Sequence, residues 1–313
     1  MGTAYLYDPL YMKHRTGYGH PERPERLAAI NDAIMGAPYY RELVRIKPSL
    51  PEMRYIEMIH STSYIQRVMK EIMSGVQYLD SMDTGVCQES FDIALQAVGG
   101  SLNMCDAIME GRATNGFCAI RPPGHHAEKD CAAGFCIFNN IAIAARYLQS
   151  KHGIGTIAIV DWDVHHGNGT QHSFEKDNTI LYISLHQFPH YPGTGASSET
   201  GIGAGKGFTL NIPMHAGCGD REYLEAFRTS IIPRIDEFKP EIILISAGFD
   251  AHRSDPLSSI RLSSESFAEF TVMLKSAAER HSKSRIIAFL EGGYDLNALA
   301  GGVINMMNAL VGT

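Results

Sequence analysis

Short runs of aliphatic residues recur along the chain, and each ends at a glycine, an acid or a polar cluster. Within two of them, Ile-Ala-Ile-Val (157–160) and Ile-Ile-Leu-Ile (242–245) are continuously apolar rather than alternating. Such runs are typical of strands that are buried on both faces of a parallel sheet. The predicted strands are 4–7, 117–120, 156–161, 180–185, 208–212, 241–247 and 286–290.

Between these runs, apolar residues follow the 3.6-residue period of a helix. In 90–110 they stand at positions 91, 94, 95, 98, 102 and 105, and further helices are predicted at 139–150, 220–238 and 264–281. The alternation of strand and helix predicts an α/β fold with right-handed crossovers. The glycine-rich stretch 193–207 is predicted to be a surface loop rather than a linker, so one domain is expected over residues 1–313.

Charge and composition exclude several classes of protein. The 313 residues carry 34 acidic and 27 basic side chains, a net charge of −7. A nucleic-acid-binding protein needs a basic surface, and a negative net charge argues against one. No signal-peptide pattern and no apolar run of about 18 residues is present, so no membrane span is expected. The six cysteines form no CxxC pair, which favours free thiols in a reducing cytoplasm; the oligomeric state is left open.

Polar residues directly after the strands are the candidates for chemistry, because ligands bind outside the carboxyl ends of open α/β sheets. Strand 156–161 continues into Asp161, Asp163 and His165. Residues two apart in an extended chain point to the same side, and two carboxylates with an imidazole predict a divalent-metal site. Asp250, after strand 241–247, is placed to supply a third ligand, although acids at strand ends are also common helix caps.

Two further strand ends carry candidate catalytic groups. His125 and His126 follow a Pro-Pro-Gly turn after strand 117–120. Adjacent side chains of an extended segment diverge, so beside a metal this pair is better suited to proton transfer and charge stabilisation than to binding one ion. Strand 286–290 leads through two glycines to Tyr294, and this position makes the tyrosine a candidate.

Together, these motifs resemble those of the histone deacetylases, specifically their class II-like bacterial branch. The matching segments are His20-Pro21-Glu22, RPPGHHA (121–127), GFCxFNN (134–140), DxDxHHGNG (161–169), YPGTG (191–195), AGFD (247–250) and EGGY (291–294). The resemblance implies the arginase/deacetylase fold, a single α/β domain with a mainly parallel eight-stranded sheet flanked by helices. It implies a zinc-dependent amidohydrolase that removes acetyl or other acyl groups from lysine side chains with metal-activated water.

The resemblance also assigns roles to individual residues. It implies one zinc ion per chain with three ligands, which are Asp163, His165 and Asp250; similar ligands fit Fe²⁺ or Co²⁺. Its catalytic residues are His125, His126, Tyr294, Asp161 and Asn168. His126 would be the general base, paired with the neutral Asn168, whereas Asp161 would favour the charged form of His125. Tyr294 would polarise the acyl oxygen.

A narrow tunnel for the acyl-lysine chain is implied as well. Its walls and rim would be formed by Gly134, Phe135, Tyr191, Leu257, Asp83, His20 and Pro21. One potassium ion would lie beside the zinc, at Asp161, Asp163, His165, Ser184 and Leu185. A second potassium ion would lie near Phe174, Asp177 and Ile180.

The substrate is less determined than the chemistry. Leu257 stands where polyamine-specific members place an acid, which favours acylated lysine in a protein or peptide over a small acylated amine. An acetylpolyamine deacetylase, or another small-molecule amide hydrolase, would use the same site. An arginase-like ureohydrolase would need two manganese ions and more bridging aspartates, and the catalytic residues disfavour a non-catalytic acyl-lysine reader.

Overall fold

The computed structural model describes residues 2–312. At its centre is one sheet of eight strands in the order β2-β1-β3-β8-β7-β4-β5-β6, and every neighbouring pair is parallel. The prediction of an eight-stranded, mainly parallel sheet is thus confirmed. The strands are β1 (Thr3–Leu6), β2 (Val44–Ile46), β3 (Asn115–Cys118), β4 (Ile157–Asp161), β5 (Ile180–Gln187), β6 (Thr209–Met214), β7 (Ile242–Ala247) and β8 (Ile286–Leu290).

Helices pack on this sheet in two groups, one built around α4 and α5 and the other around α9 and α10. They are α1 (Glu25–Gly36), α2 (Met53–Ile56), α3 (Thr62–Met73), α4 (Ser90–Met109), α5 (Asn140–His152), α6 (Asn168–Phe174), α7 (Asp220–Ala226), α8 (Ile232–Phe238), α9 (Ser264–His281) and α10 (Leu296–Val311). None of the helices within residues 2–312 is both long and apolar enough to cross a bilayer.

The central strands are buried at every position, as their continuous apolar runs predict. One hydrophobic core extends from Ala4 of β1 to Leu310 of α10. Gly116 of β3 allows α4 to pack closely on the sheet, because a Cβ there would lie 2.9 Å from the terminal methyl carbon of Met104 of α4. Burial on both faces explains why these strands carry no alternating polar positions.

The structure differs from the predicted elements where the pattern is weak. Strand β2 was not predicted, because it has three residues, lies at the sheet edge and exposes Arg45. The predicted helix 220–238 contains a π-helical turn, Phe227–Ile231, between α7 and α8. Pro233 in the first turn of α8 has no N–H to donate, and a π turn accommodates such a missing bond.

The strand order determines where a ligand can bind. From β4 the chain moves outward to β5 on one side, and from β7 it moves to β8 on the other. Since β4 and β7 are neighbours, with Asp161 opposite Ser246, a crevice opens between their carboxyl ends. The polar segments that follow β3, β4, β7 and β8 all reach this edge of the sheet.

Candidate active site

Three predicted metal ligands converge at the crevice. Asp163, His165 and Asp250 are buried, and each offers a ligand atom within 4.8 Å of the others. Asp250 Oδ1 accepts the backbone N–H of Val164 at 2.8 Å. Its other oxygen, Oδ2, has no hydrogen-bond partner and lies 3.2 Å from His165 Nδ1.

This arrangement fits a divalent cation. Burial and the charge of Asp163 raise the pKa of Asp250 to about 7, because two buried carboxylates are costly without a compensating charge. Two carboxylates and one imidazole are a donor set that suits Zn²⁺ and leaves room for other ligands. The unpartnered Asp250 Oδ2 points to the same conclusion, so these three residues would hold the metal.

Gly292 completes the wall behind these ligands. Its backbone N–H donates to Asp163 Oδ2 at 2.7 Å, and a Cβ at this position would collide with Asp250 Oδ2. The first glycine of the predicted Glu-Gly-Gly-Tyr motif is therefore needed for close approach of the backbone to the carboxylates.

The two adjacent histidines lie side by side, with ring centroids 4.0 Å apart. His125 Nδ1 donates to Asp161 Oδ2 at 3.0 Å, and His126 Nδ1 donates to Asn168 Oδ1 at 2.7 Å. The backbone N–H of His125 donates to Glu291 Oε2 at 3.1 Å. The structure thus brings each histidine to the partner that the resemblance names.

These surroundings separate the protonation states of the pair. Burial alone would lower the pKa of His125, but the carboxylates of Asp163 and Asp161 outweigh it and raise the pKa to about 10. Burial lowers the pKa of His126 well below its usual range, and the charge of His125 lowers it further. These shifts favour the charged form of His125 and the neutral form of His126.

A cavity of about 240 Å³ leads to this site. The Phe135 ring meets the Tyr294 ring edge to face at 5.8 Å, and the Tyr191 ring meets His126 at 5.1 Å. Burial raises the pKa of Tyr294, so its hydroxyl keeps a proton. The lining residues are Asp83, His126, Gly134, Phe135, His165, His190, Tyr191, Leu257 and Tyr294.

Two of the predicted tunnel residues do not line this cavity. His20 packs edge-on against Phe135, with centroids 4.7 Å apart, and its Nε2 donates to the Asp83 carbonyl at 2.8 Å. Pro21 follows it and is half-buried. His20 therefore supports the wall and the rim from behind.

Sequence reasoning missed two groups at the tunnel. His190 stacks on His165 with centroids 5.1 Å apart and donates from Nε2 to the Leu257 carbonyl at 3.0 Å. Asp255 accepts the backbone N–H groups of Leu257 at 3.0 Å and Tyr294 at 2.7 Å. The signal available for His190 was its place just after β5, at the same sheet edge as the other polar groups.

The residues assigned to potassium lie in two places. Asp161 and Ser184 are buried beside the metal ligands, and Ser184 Oγ is hydrogen-bonded to His186 Nδ1 at 2.9 Å; Leu185, also of β5, is buried as well. At the second position, before Ile180 of β5, Arg146 donates to Asp177 Oδ2 at 2.6 Å. Its guanidinium also lies 4.7 Å from the Phe174 ring centroid, so an arginine cation already stands beside this predicted site.

A buried ion network beneath the site was also missed. The side chains of Glu22, Arg26 and Arg121 are fully buried. Arg26 donates to Glu22 Oε1 at 3.1 Å, and Arg121 binds the same carboxylate with two nitrogens. Arg26 also donates to the carbonyls of Glu291 at 2.5 Å and Gly293 at 2.6 Å. The network therefore ties the start of the chain to the loop that carries Tyr294.

Replacing Glu22 with alanine is expected to lower the free energy of unfolding by about 3–5 kcal/mol, because it leaves two buried arginines without their counter-charge. The measurement is urea unfolding followed by circular dichroism. The control is Glu110→Ala, which removes an exposed partner of Arg112 and should cost less than about 1 kcal/mol. Equal unfolding midpoints for the two variants would refute a stabilising role of the network.

Acid should reduce the contribution of the same network to the free energy of unfolding. Burial would raise the pKa of Glu22, but Arg121 and Arg26 outweigh it and lower the pKa from 4.5 to about 2. Because the folded pKa lies below the unfolded one, this stabilisation is complete above pH 4.5 and is lost as the pH falls towards 2.

Comparisons with known proteins agree with this architecture. A family model described as "Histone deacetylase domain" matches residues 20–310. A "Probable deacetylase" of Archaeoglobus fulgidus is 40% identical over 298 residues, which are 95% of this chain and 82% of that protein. The human "Polyamine deacetylase HDAC10" is 36% identical over 327 residues, 100% of this chain and 48% of that protein.

A solved structure shows the same relationship in three dimensions. The HDA15 HD domain superposes with a TM-score of 0.94 at 34% identity, and the match covers 100% of this chain and 89% of that chain. These matches agree with the sequence motifs, the parallel sheet and the converging side chains. The chain belongs to the histone deacetylase family.

Proposed function

We propose that the chain is a zinc-dependent deacylase that hydrolyses the amide bond of acylated lysine side chains. The observation that carries this proposal is the position of the buried Asp163–His165–Asp250 set. It lies next to a histidine pair with different partners, His125 on the Asp161 carboxylate and His126 on the Asn168 amide, at the foot of an aromatic-walled cavity. Membership of an amidohydrolase family supports the reaction class.

Three residues near the inner end of the cavity have roles in this reaction. When bound, the zinc would supply Lewis-acid polarisation and lower the pKa of water. His126, which is neutral, accepts a proton through Nε2, since its Nδ1 is bonded to Asn168. His125, held cationic by Asp161 and Asp163, stabilises developing negative charge. Tyr294 keeps its proton and donates a hydrogen bond to the acyl oxygen.

The cavity walls indicate the kind of substrate. Phe135 and Tyr191 offer flat apolar faces for a methylene chain, and burial there excludes water from the reacting groups. Leu257 provides no charge at the wall, which favours an acyl-lysine in a peptide. One observation supports an acetylated polyamine instead, since the Asp83 carboxylate lies at the same cavity and could pair with a second ammonium group.

Turnover of two substrates by the zinc-loaded protein, with a chelator-treated control, tests the proposal. Chelator-sensitive release of acetate is expected from an acetyl-lysine peptide, with a higher kcat/KM than for N8-acetylspermidine. Leu257→Glu should shift this ratio towards the polyamine by about 2–5-fold, the worth of one exposed ion pair. A wild-type preference for the polyamine would refute the preference for acyl-lysine, and no hydrolysis of either substrate would refute deacetylase activity.

Metal content separates the remaining alternatives. We infer one zinc per chain, together with one or two potassium ions. Two tightly bound metal ions per chain at the Asp–His–Asp set would instead favour the ureohydrolase alternative.

The six cysteines are all unpaired, which supports a reducing, cytoplasmic setting.

A further inference from the structure

A chain of hydrogen bonds runs from His126 away from the tunnel. His126 Nδ1 donates to Asn168 Oδ1 at 2.7 Å, and Asn168 Nδ2 donates to Glu128 Oε1 at 2.5 Å. The same carboxylate oxygen accepts from His172 Nδ1 at 2.7 Å. Three side chains therefore link the base to the surface, and neither Glu128 nor His172 has a role in the reaction described above.

Rigid backbone contacts hold this chain in place. Asn168 and His172 are four residues apart on α6, so both face the same side of that helix. The backbone N–H of Thr170 donates to the His125 carbonyl at 3.2 Å. A Cβ at Gly169 would collide with the Ala127 carbonyl, so α6 begins in direct contact with the loop that carries the histidines and Glu128.

The carboxylate determines which way the Asn168 amide faces. An ionised carboxylate only accepts hydrogen bonds, so Glu128 requires the amide nitrogen and leaves Oδ1 for His126. With the amide reversed, Oδ1 would oppose Glu128, and the amide N–H would face His126 Nδ1. The imidazole proton would then have to sit on Nε2, the nitrogen that must accept a proton during hydrolysis.

We propose that Glu128 is a positioning residue for His126, acting through Asn168 to keep the imidazole in the tautomer that can act as a base. The inference rests on the proposed function, because it assigns Glu128 to the same reaction. Glu128 is 26% exposed and lines a separate cavity with Glu57, Lys129 and His172, which shares no residue with the tunnel. Its effect must therefore pass through Asn168 rather than through substrate contact.

Kinetics of single variants give the first test. Glu128→Ala is expected to lower kcat by about 10–100-fold, the usual cost of losing a group that orients an active-site residue, with KM unchanged. The matched control is Glu57→Ala, which removes an exposed carboxylate of the same cavity and should leave kcat unchanged. Equal kcat values for Glu128→Ala and wild type would overturn the proposal, as would a change confined to KM.

A double variant distinguishes positioning from a general structural effect. Asn168→Ala removes the link between Glu128 and His126 and should lower kcat. In the Asn168→Ala background, Glu128→Ala should cause no further loss, because its effect must pass through Asn168. Independent, additive losses in the double variant would show that Glu128 does not act through Asn168.

The tautomer itself can be measured without turnover. Imidazole ¹⁵N chemical shifts of the metal-free protein, assigned with His126→Ala, should show Nδ1–H at His126 in the wild type and a mixture in Glu128→Ala. Unchanged shifts would refute the proposal. If the wild type hydrolyses no acyl substrate, the proposed function fails, while these shifts still decide whether Glu128 fixes the tautomer.

Discussion

Replacing Asp250 with alanine is expected to abolish metal binding and, with it, amide hydrolysis. Asp250 contributes one of the two carboxylates of the donor set, and its Oδ2 has no protein partner to release. Loss of a group that merely orients a ligand costs roughly 10–100-fold in affinity or activity, so loss of a ligand should cost more than about 100-fold. Zinc content after reconstitution and dialysis is the direct measurement.

The control for this variant is Asp92→Ala, the same change at an exposed position of α4. It should retain one zinc per chain and full turnover. If Asp250→Ala also retains zinc, the Asp–His–Asp set is not the metal site. Retained zinc with lost turnover would give Asp250 a catalytic rather than a ligating role.

Replacing Tyr294 with phenylalanine should also abolish most turnover, but, unlike Asp250→Ala, it should leave zinc bound. The change removes only a hydroxyl and leaves the ring in place. That ring packs against Phe135, and the Arg26 guanidinium lies 5.0 Å from the centroid of the Tyr294 ring. Losing one hydrogen-bond donor to a developing oxyanion typically lowers kcat by about 10²–10³-fold. Steady-state kinetics with an acetyl-lysine peptide, together with zinc content, measure both parts of the expectation.

Tyr78→Phe removes a hydroxyl from an exposed tyrosine and provides the matched comparison. Its kcat should equal that of the wild type. A fully active Tyr294→Phe enzyme would show that the hydroxyl does not stabilise the oxyanion. Loss of zinc in this variant would show that Tyr294 supports the metal site instead.

Those parts of the site that follow strand ends could be predicted from the sequence. Asp163 and His165 continue the period of a buried strand, and parallel strands bring Asp250 and Tyr294 to the same edge. The continuous apolar runs indicated strands because those strands are covered by helices on both faces. Local pattern and the geometry of parallel sheets were sufficient here.

Buried polar contacts between distant segments could not be predicted in the same way. Glu22 and Arg121 are 99 positions apart, and no periodicity distinguishes a buried arginine from an exposed one. Glu128 lies 40 positions from Asn168, so only the folded chain shows that they meet. Strand β2 was not predicted for another reason: its three residues at the sheet edge are too few to show an apolar pattern.

The strand order has a consequence for how the protein is made. Strand β8, Ile286–Leu290, lies between β3 and β7, so the middle of the sheet is filled by a late segment of the chain. Until β8 emerges from the ribosome, the earlier strands can pair only within two separate groups, and the inner edge of each group would be open to pairing with other chains. A nascent chain paused before residue 286 therefore has neither a continuous sheet nor Tyr294, and it should depend on chaperones until the last strand emerges.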